Sequence, residues 1–432
     1  MEKKVCMFVW NHFTNDARVF RECTALIEAG FEVDLIAVHD WKDNDLQKRE
    51  QRNEGFNIIR VNNRLRLLSL IAGPAERLRR LLSRNIITKL ITLGIVLLGL
   101  WSVPLITLSL LLLMILIAPH KMRTVYLRTY IAFQMIRVGV SGKYDIYHSN
   151  DLNTLPQGFI CARVLRKRKL IYDSHEVQTS RTGYNSKIYG IAEKFFIKHI
   201  DIMIMENHTR AKYIEDLYGF YPKVVHNYPI PMQPETSKKI DLYSILDIPR
   251  DEPILLYQGG IQIGRGLDKL IQATPMFERG VVVLIGDGRI KPELEKMVRD
   301  MGLENRVKFL PKVPLEDLLD YTRNAYLGFQ ILNNVCFNHY SASSNKLFEY
   351  IMSAVPVVAC SFPEIQRVVD KENIGVCVNS HDPKSIACGV NHLLNNDDLI
   401  EIIKENCMRA RDRYNWTNES NVFIKIYNGL EM

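Results

Sequence analysis

The sequence predicts an α/β protein built from two doubly wound parallel sheets, one in each half of the chain. Its 432 residues exceed what a single hydrophobic core usually supports, which indicates two domains. Short apolar runs alternate with amphipathic helical stretches in both halves, as expected for parallel strands joined by helices. A polar, proline-containing stretch over 228–252 interrupts this alternation and is interpreted as an interdomain linker.

The elements of both domains follow from the positions of the apolar runs. In the first domain, residues 1–227, strands are predicted at 5–10, 33–38, 57–61, 144–148, 169–173, 201–205 and 223–227, with helices at 17–29, 153–165 and 186–199. In the second domain, residues 253–415, strands are predicted at 253–260, 281–288, 307–311, 325–332, 355–360 and 374–378. Two such domains facing a cleft would bind ligands at the carboxyl ends of their strands.

The cysteines and the amino terminus indicate a cytoplasmic protein. The eight cysteines are scattered, with no CxxC pair and no zinc-like spacing, and are interpreted as buried thiols in a reducing compartment. The first apolar run ends at Trp10, which is too short for a secretory signal and is typical of a first strand.

Residues 64–140 predict an insertion into the first domain that contacts a membrane. From Leu90 to Ala118 there are 29 consecutive residues without a charge, whereas about 20 suffice to cross a bilayer. Basic residues flank this run on both sides: the stretches 64–89 and 120–143 carry a net charge of +11, while the whole chain carries +8. Because the excess charge brackets one apolar segment, the pattern favours anionic lipid over nucleic acid as a partner.

The flanks also predict how the apolar run enters the membrane. Strands on both sides must join one sheet, so both ends should lie on the same side of the bilayer. A helical hairpin broken near Pro104 satisfies this, with residues 86–118 contacting lipid at the cytoplasmic face. A re-entrant, an in-plane and a twice-crossing hairpin all remain open, although arms of about 15 residues disfavour two full crossings.

Glycine turns and a short helix in the second domain are typical of phosphate binding. The turns at 259–266 and 286–288 follow strands, where backbone amides favour anions, but neither matches a Walker loop or a dinucleotide fingerprint. Lys346 and Glu349 share a helix face, so a cation could meet a diphosphate while the carboxylate holds ribose hydroxyls. A solvent-exposed ion pair would show the same spacing.

Six segments together resemble the retaining family 4 glycosyltransferases, over nearly the whole chain apart from 62–140. They are 11–33, 147–158, 171–176, 257–273, 284–295 and NKLFEYIMSAVPVVA at 345–359. This resemblance implies the GT-B fold of two Rossmann-like domains, a nucleotide diphosphate-sugar as co-substrate, and no metal or other cofactor. It also implies that residues 416–432 form a helix crossing back to the first domain.

The resemblance assigns donor-binding roles position by position. Glu349 matches the second Glu of the family's E-x7-E motif, which binds ribose, whereas the first falls on Ser341. Where the family has an arginine this chain has Gly260, and Arg265 replaces the family's lysine. The implied donor-binding set is Gly259, Gly260, Arg265, Gly286, Asp287, Gly288, Asn345, Lys346 and Glu349.

Catalytic candidates lie at the ends of first-domain strands and in the first loop: Asp151, His175, Glu176, Asp16 and Arg18. Asp16 could equally be a helix cap, and Asp151 and His175 could be polar packing residues. The predicted activity is transfer of a sugar to a lipid-linked or membrane-proximal acceptor. Two alternatives are a non-catalytic nucleotide-sugar-binding or scaffolding subunit, suggested by Ser341 and Gly260, and a nucleotide-sugar epimerase.

Overall fold

A computed structural model describes residues 3–14, 16–64, 86–109, 120–180, 187–231, 239–314 and 317–430. The chain divides into two compact units. The first comprises Met1–Thr14 and Leu26–Ile171, and the second comprises Asn15–Ala25 and Tyr172–Met432.

The first unit is built on strands in the spatial order β3-β4-β2-β1-β5. Their bounds are β1 Lys4–Phe8, β2 Glu32–Val38, β3 Arg49–Gln51, β4 Asn57–Val61 and β5 Ile146–Asn150. β1 lies centrally and pairs in parallel with β2 and β5, whereas β3 is antiparallel to β4. The four strands predicted for this region are confirmed. β3 was missed because three polar residues on a sheet edge have no apolar alternation.

Helices of the first unit are α2 Ile86–Ser102, α3 His120–Ser141 and α4 Leu155–Phe159, which continues into a π-helical turn at Ile160–Arg166. The carboxyl half of α3 packs on the sheet: Ile131 and Met135 are buried, and Gly139 lies against Phe8 and Cys161. Residues 120–140, predicted as part of the insertion, therefore include a covering helix of the unit itself. The sequence pattern did not indicate this because arginines interrupt its apolar face.

The described part of the apolar run, up to residue 109, is helical and breaks next to Pro104, as predicted. α2 ends at Ser102, and residues 104–109 form a further helical stretch. A Cβ placed on Gly99 would lie 2.8 Å from Oγ1 of Thr107, although residues eight apart in a straight helix are about 12 Å apart. The chain therefore bends sharply here. Within the described residues, no helix combines the length and apolar character that a membrane crossing requires. The rest of the predicted hairpin, 110–118, and much of the basic flank, 65–85, lie outside the described residues.

The second unit contains strands in the order β6-β7-β8 and a six-stranded sheet in the order β11-β10-β9-β12-β13-β14. The strands are β6 Lys169–Ser174 (which begins in the first unit), β7 Ile202–Met205, β8 Lys223–Val224, β9 Ile254–Gln258, β10 Val281–Ile285, β11 Val307–Leu310, β12 Leu327–Gln330, β13 Val357–Cys360 and β14 Gly375–Val378. Each corresponds to a predicted strand. The five strand pairings of the six-stranded sheet are all parallel, as the alternation predicted.

Helices of the second unit surround these strands. They are α1 Ala17–Glu28 (which ends in the first unit), α5 Lys187–Ile197, α6 His208–Tyr218, α7 Leu242–Leu246, α8 Leu267–Ala273, α9 Lys291–Asp300, α10 Leu318–Thr322, α11 Phe337–Tyr340, α12 Asn345–Met352, α13 Pro363–Glu372, α14 Pro383–Leu394, α15 Asp397–Arg411 and α16 Trp416–Asn428. Residues 228–252, predicted as a linker, contain α7, while 232–238 lie outside the described residues. The predicted final helix is α16, whose Trp416 ring lies 5.7 Å from the guanidinium of Arg21 on α1.

The prediction of buried cysteines is only partly correct. Cys6, Cys23, Cys161, Cys360 and Cys407 are buried free thiols. Cys388 is exposed, and Cys336 and Cys377 are half-buried.

Candidate donor site

The two predicted glycine turns of the second unit pack directly on each other. After β9, Gly259 donates its backbone N–H to the carbonyl of Ile285 at 2.9 Å, and Ile261 donates to the carbonyl of Asp287 at 3.0 Å. A Cβ on Gly286 would lie 2.0 Å from the Gly259 oxygen, and one on Gly288 would lie 2.0 Å from the Ile261 oxygen. Gly286 and Gly288 are therefore required for the two turns to approach, whereas Gly259 has a positive φ of 128° and opens toward Lys346.

We expect Gly286→Ala to destabilise the protein by about 2–3 kcal/mol, because it adds a clash with backbone to a φ of 150°. Gly260→Ala is the matched control, since the nearest atom to its Cβ would be a flexible Gln262 carbon at 3.6 Å. Urea denaturation compares the two variants. Equal midpoints would show that the packing of the turns contributes no stability.

Lys346, on the first turn of α12, points its amine at the β9 turn. A Cβ on Gly259 would lie 3.9 Å from Nζ, and Nζ lies 5.0 Å from the centre of the Tyr257 ring. The residue is only 7% exposed, and Nζ has no hydrogen-bond or ion-pair partner among the described residues. Burial, followed by the charge of Arg265, lowers the pKa of Lys346 to about 7. An anion between these two cations would satisfy both.

Arg265 supplies the second cation of this site. Its backbone N–H donates to the carbonyl of Gln262 at 3.3 Å, which places it at the end of the β9 loop just before α8. Its Nε is buried without a hydrogen-bond partner among the described residues. A buried guanidinium nitrogen in this state favours an external acceptor, because the unmade hydrogen bond is costly.

Glu349 is held by side chains that the sequence did not single out. Nε2 of Gln258 donates to its Oε2 at 2.6 Å, and the hydroxyl of Thr322 donates to the Gln258 carbonyl oxygen at 2.7 Å. Burial raises the pKa of Glu349, while Gln258, Lys346 and Arg21 lower it. The carboxylate thus has a fixed position one helical turn from Lys346. Gln258 precedes the glycine pair directly, which was the only sequence signal for its role.

Asn345 and Asp287 have partners within the protein. Oδ1 of Asn345 accepts a hydrogen bond from Asn227 at 3.0 Å, and Asn227 in turn accepts from Arg21. The backbone N–H of Lys312 donates to Asp287 at 2.9 Å, and Nζ of Lys291 lies 3.1 Å from it. These contacts lower the pKa of Asp287. The Asp287 carboxylate therefore connects the turn after β10 to Lys312 and Lys291.

Ser341, at the position of the family's first motif glutamate, is fully buried. Its hydroxyl donates to the carbonyl of Phe337 at 2.7 Å and accepts from Nε of Arg210 at 3.2 Å. Arg210 also donates to the backbone carbonyls of His175, at 2.6 Å, and Asn338, at 3.0 Å. The serine thus takes part in a buried network centred on Arg210. Sequence reasoning missed Arg210 because, apart from Glu206, its partners lie far away in the chain.

The predicted catalytic residues fall into two groups. In the second unit, His175 and Glu176 follow β6, with Nε2 of His175 4.0 Å from Asp173. Asp151, in the first unit, follows β5 with a positive φ of 62°, and its backbone carbonyl accepts from Thr154 at 3.2 Å. The left-handed backbone at a strand end is compatible with a site residue.

Asp16 and Arg18 have structural contacts. Oδ1 of Asp16 accepts from the backbone N–H of Val19 at 3.2 Å, which is the helix-capping alternative noted above. The guanidinium of Arg18 is 5% exposed and binds both oxygens of Asp173 at 2.9 and 2.8 Å, with Glu22 at 3.0 Å. Arg18 therefore forms buried ion pairs with Asp173 and Glu22.

Part of the chain is similar to a known protein family and to curated proteins. Residues 240–409, less than half of the chain, match the family model described as "Glycosyl transferases group 1". D-inositol 3-phosphate glycosyltransferase from Xylanimonas cellulosilytica is 25% identical over 55% of this chain, which spans 59% of that relative's length. An uncharacterized glycosyltransferase from Methanocaldococcus jannaschii is 25% identical over 67% of this chain and 77% of its own.

Solved structures define the fold. Sucrose-phosphate synthase from Thermosynechococcus elongatus superposes with a TM-score of 0.69 at 15% identity, covering 99% of this chain and 98% of its own. Anabaena HepE, solved in complex with UDP and glucose, gives a TM-score of 0.69 at 14% identity over 99% and 100%. The protein therefore has a GT-B-like α/β fold with two parallel-sheet, Rossmann-like domains. Both sequence relatives described above are named glycosyltransferases, and this chain spans 59% of the length of the first.

Proposed function

We propose that the protein transfers a glycosyl group from a nucleoside diphosphate sugar to a lipid-linked or membrane-proximal acceptor. The part of the proposal that concerns the sugar donor rests on one observation: Lys346, Arg265 and Glu349 lie together at the open Gly259 turn. Two cations with unmade hydrogen bonds match a diphosphate, and a fixed carboxylate one helical turn away matches the hydroxyls of a ribose. HepE, solved with UDP and glucose, binds ligands of this class.

The chemistry follows from the charges at this site. The bond between the anomeric carbon and the diphosphate oxygen breaks, an acceptor hydroxyl forms the new bond and releases its proton, and the diphosphate leaves. Negative charge develops on the leaving oxygen, so Lys346 and Arg265 would stabilise the transition state. We propose that these cations replace a metal and that the reaction retains anomeric configuration, as the family resemblance implies.

The part of the proposal that concerns the acceptor rests on the place where the apolar segment joins the first unit. Nε2 of Gln134, midway along α3, donates to the carbonyl of Asn62, just after the carboxyl end of β4, at 2.7 Å. The half of α3 that precedes the buried Ile131, residues 120–130, is about 16 Å long and adjoins this contact at the carboxyl edge of the sheet, the edge on which Asp151 also lies. This half of α3 exposes Met122 and Val125, and Phe133 is exposed just after Ile131. An apolar segment anchored there would hold the carboxyl edge near a bilayer at the cytoplasmic membrane face.

The donor half is tested by thermal unfolding in mild detergent with UDP, GDP, CDP or NAD. A ligand at a hundredfold excess over its dissociation constant stabilises the native state by about 2.7 kcal/mol. We expect one nucleoside diphosphate to raise the midpoint and NAD to have no effect. Glu349→Ala should lose most of the shift, whereas Glu304→Ala, at an exposed glutamate of the second unit, should keep it.

Each other outcome has a distinct meaning. A shift that survives in Glu349→Ala contradicts the ribose role, and no shift with any nucleotide contradicts the donor class. Nucleotide binding without sugar transfer to a membrane lipid extract would favour the scaffolding alternative, which the burial of Ser341 also suggests.

A further inference from the structure

We propose that His339 determines sugar specificity, its Nε2 accepting a hydrogen bond from a hydroxyl of the donor's sugar. This inference rests on the proposed function, since it concerns the same site. It begins from Ser341, whose side chain is fully buried and bonded to Arg210 and Phe337. The side chain at position 341 therefore offers no hydrogen-bond acceptor to the sugar of the nucleotide-sugar. Another side chain has to bind the sugar's hydroxyls.

The hydrogen bonding of His339 defines which of its nitrogens is available. His339 lies on α11, two residues before Ser341, with Nδ1 3.2 Å from the backbone carbonyl oxygen of Asn333. A carbonyl oxygen only accepts, so Nδ1 carries the proton and donates it. In the neutral ring Nε2 is then an acceptor. It has no hydrogen-bond partner among the described residues.

The packing of the ring places the imidazole beside the diphosphate loop. A Cβ on Gly264 would lie 2.6 Å from Cε1 and 2.8 Å from Nδ1, so the Nδ1–Cε1 edge of the ring faces the loop that carries Arg265, and Nε2 is the next ring atom after Cε1. Gly264 has a positive φ of 83°, and no other residue type would leave room for the ring. A sugar joined to a diphosphate at Arg265 and Lys346 would therefore lie within reach of the imidazole.

The charges around the ring keep it neutral. Burial lowers the pKa of His339, and Arg265 and Lys346 lower it further, while the carbonyl of Asn333 and the carboxylate of Glu176 raise it. Nε2 therefore remains an acceptor at neutral pH. The presence of Glu176 among these groups also places the ring near the end of β6, where acceptor-side residues were predicted.

Two substitutions of His339 distinguish a contact with the donor's sugar from a purely structural role of the ring. Asparagine can place a donor at the Nδ1 position but nothing at Nε2, whereas glutamine can place an amide oxygen at Nε2 but loses the Nδ1 donor. The probes are UDP with UDP-glucose and GDP with GDP-mannose, each pair measured by calorimetry against wild type, His339→Asn and His339→Gln. The readout is the ratio of sugar-nucleotide affinity to diphosphate affinity.

We expect His339→Asn to lower this ratio by about tenfold, the value of one hydrogen bond of roughly 1.4 kcal/mol, with diphosphate affinity unchanged. His339→Gln should retain most of the ratio. The inference is overturned if both variants keep the wild-type ratio, or if only His339→Gln loses it, since that pattern identifies the bond to Asn333 as the important one. Failure of the wild-type protein to bind either diphosphate contradicts the proposed function itself, and this inference with it.

Discussion

Lys346→Met should weaken nucleoside diphosphate binding by about a hundredfold, the upper range for a hydrogen bond to a charged group. Methionine matches the length of the lysine stem, so the packing of the stem is kept while the amine and its contact with the Tyr257 ring are lost. The effect is large because the amine is buried and, in the protein without bound anion, has no hydrogen-bond or ion-pair partner among the described residues. Titration calorimetry with UDP and GDP measures it.

The pH dependence of binding tests the same amine without changing its volume. In the free protein, burial and then Arg265 lower the pKa of Lys346 to about 7, and a bound diphosphate raises it again. The anion thus binds the protonated amine, so the contribution of Lys346 to affinity is level below about pH 7 and falls by up to tenfold per pH unit above it. Lys346→Arg stays charged throughout and should show a level profile. A falling profile in that variant would assign the pH dependence to another group.

The sequence predicted most of the fold because parallel strands buried on both faces are continuous apolar runs. β1 and β9, for example, lie within two residues of their predicted bounds. The role of α3 was not predictable in this way. Its carboxyl half covers the sheet, while its amino half exposes apolar and basic residues, so the composition of the whole helix indicated a membrane flank.

At the candidate site, spacing identified Lys346 and Glu349 because they lie on one short helix. Gln258 and Thr322, which hold Glu349, lie on other elements, and sequence spacing carries no information about such contacts. Arg18 was assigned to the cleft because it lies in the first loop, within the segment 11–33 that resembles the family. Its partner Asp173 is 155 positions away, and only the fold reveals the pair.

Arg18→Met should destabilise the second unit by about 3–5 kcal/mol, because it leaves buried carboxyl groups without their cation. Arg18 binds both oxygens of Asp173, which is fully buried, and donates to the carbonyl of Val225 at 3.2 Å. Urea denaturation measures the loss. Lys296→Met removes an exposed pair with Asp300 and should change stability by under about 0.5 kcal/mol. Similar midpoints for both variants would contradict the importance of the buried pair.

Glu22→Gln should change stability in the opposite direction, because two carboxyl groups share one guanidinium. Burial and then the neighbouring Asp173 raise the pKa of Glu22 well above its ordinary value. An acid with a raised folded pKa must take up a proton on folding, so its contribution is fully favourable below the unfolded pKa of about 4.3 and is lost as pH rises. Glutamine mimics the protonated acid without that cost. The variant should therefore match wild type near pH 4 and exceed it by up to about 3 kcal/mol at pH 7, if Asp173 alone carries the charge that neutralises Arg18. A loss of stability at pH 7 would show instead that Glu22 is ionised and that Arg18 is balanced by both acids.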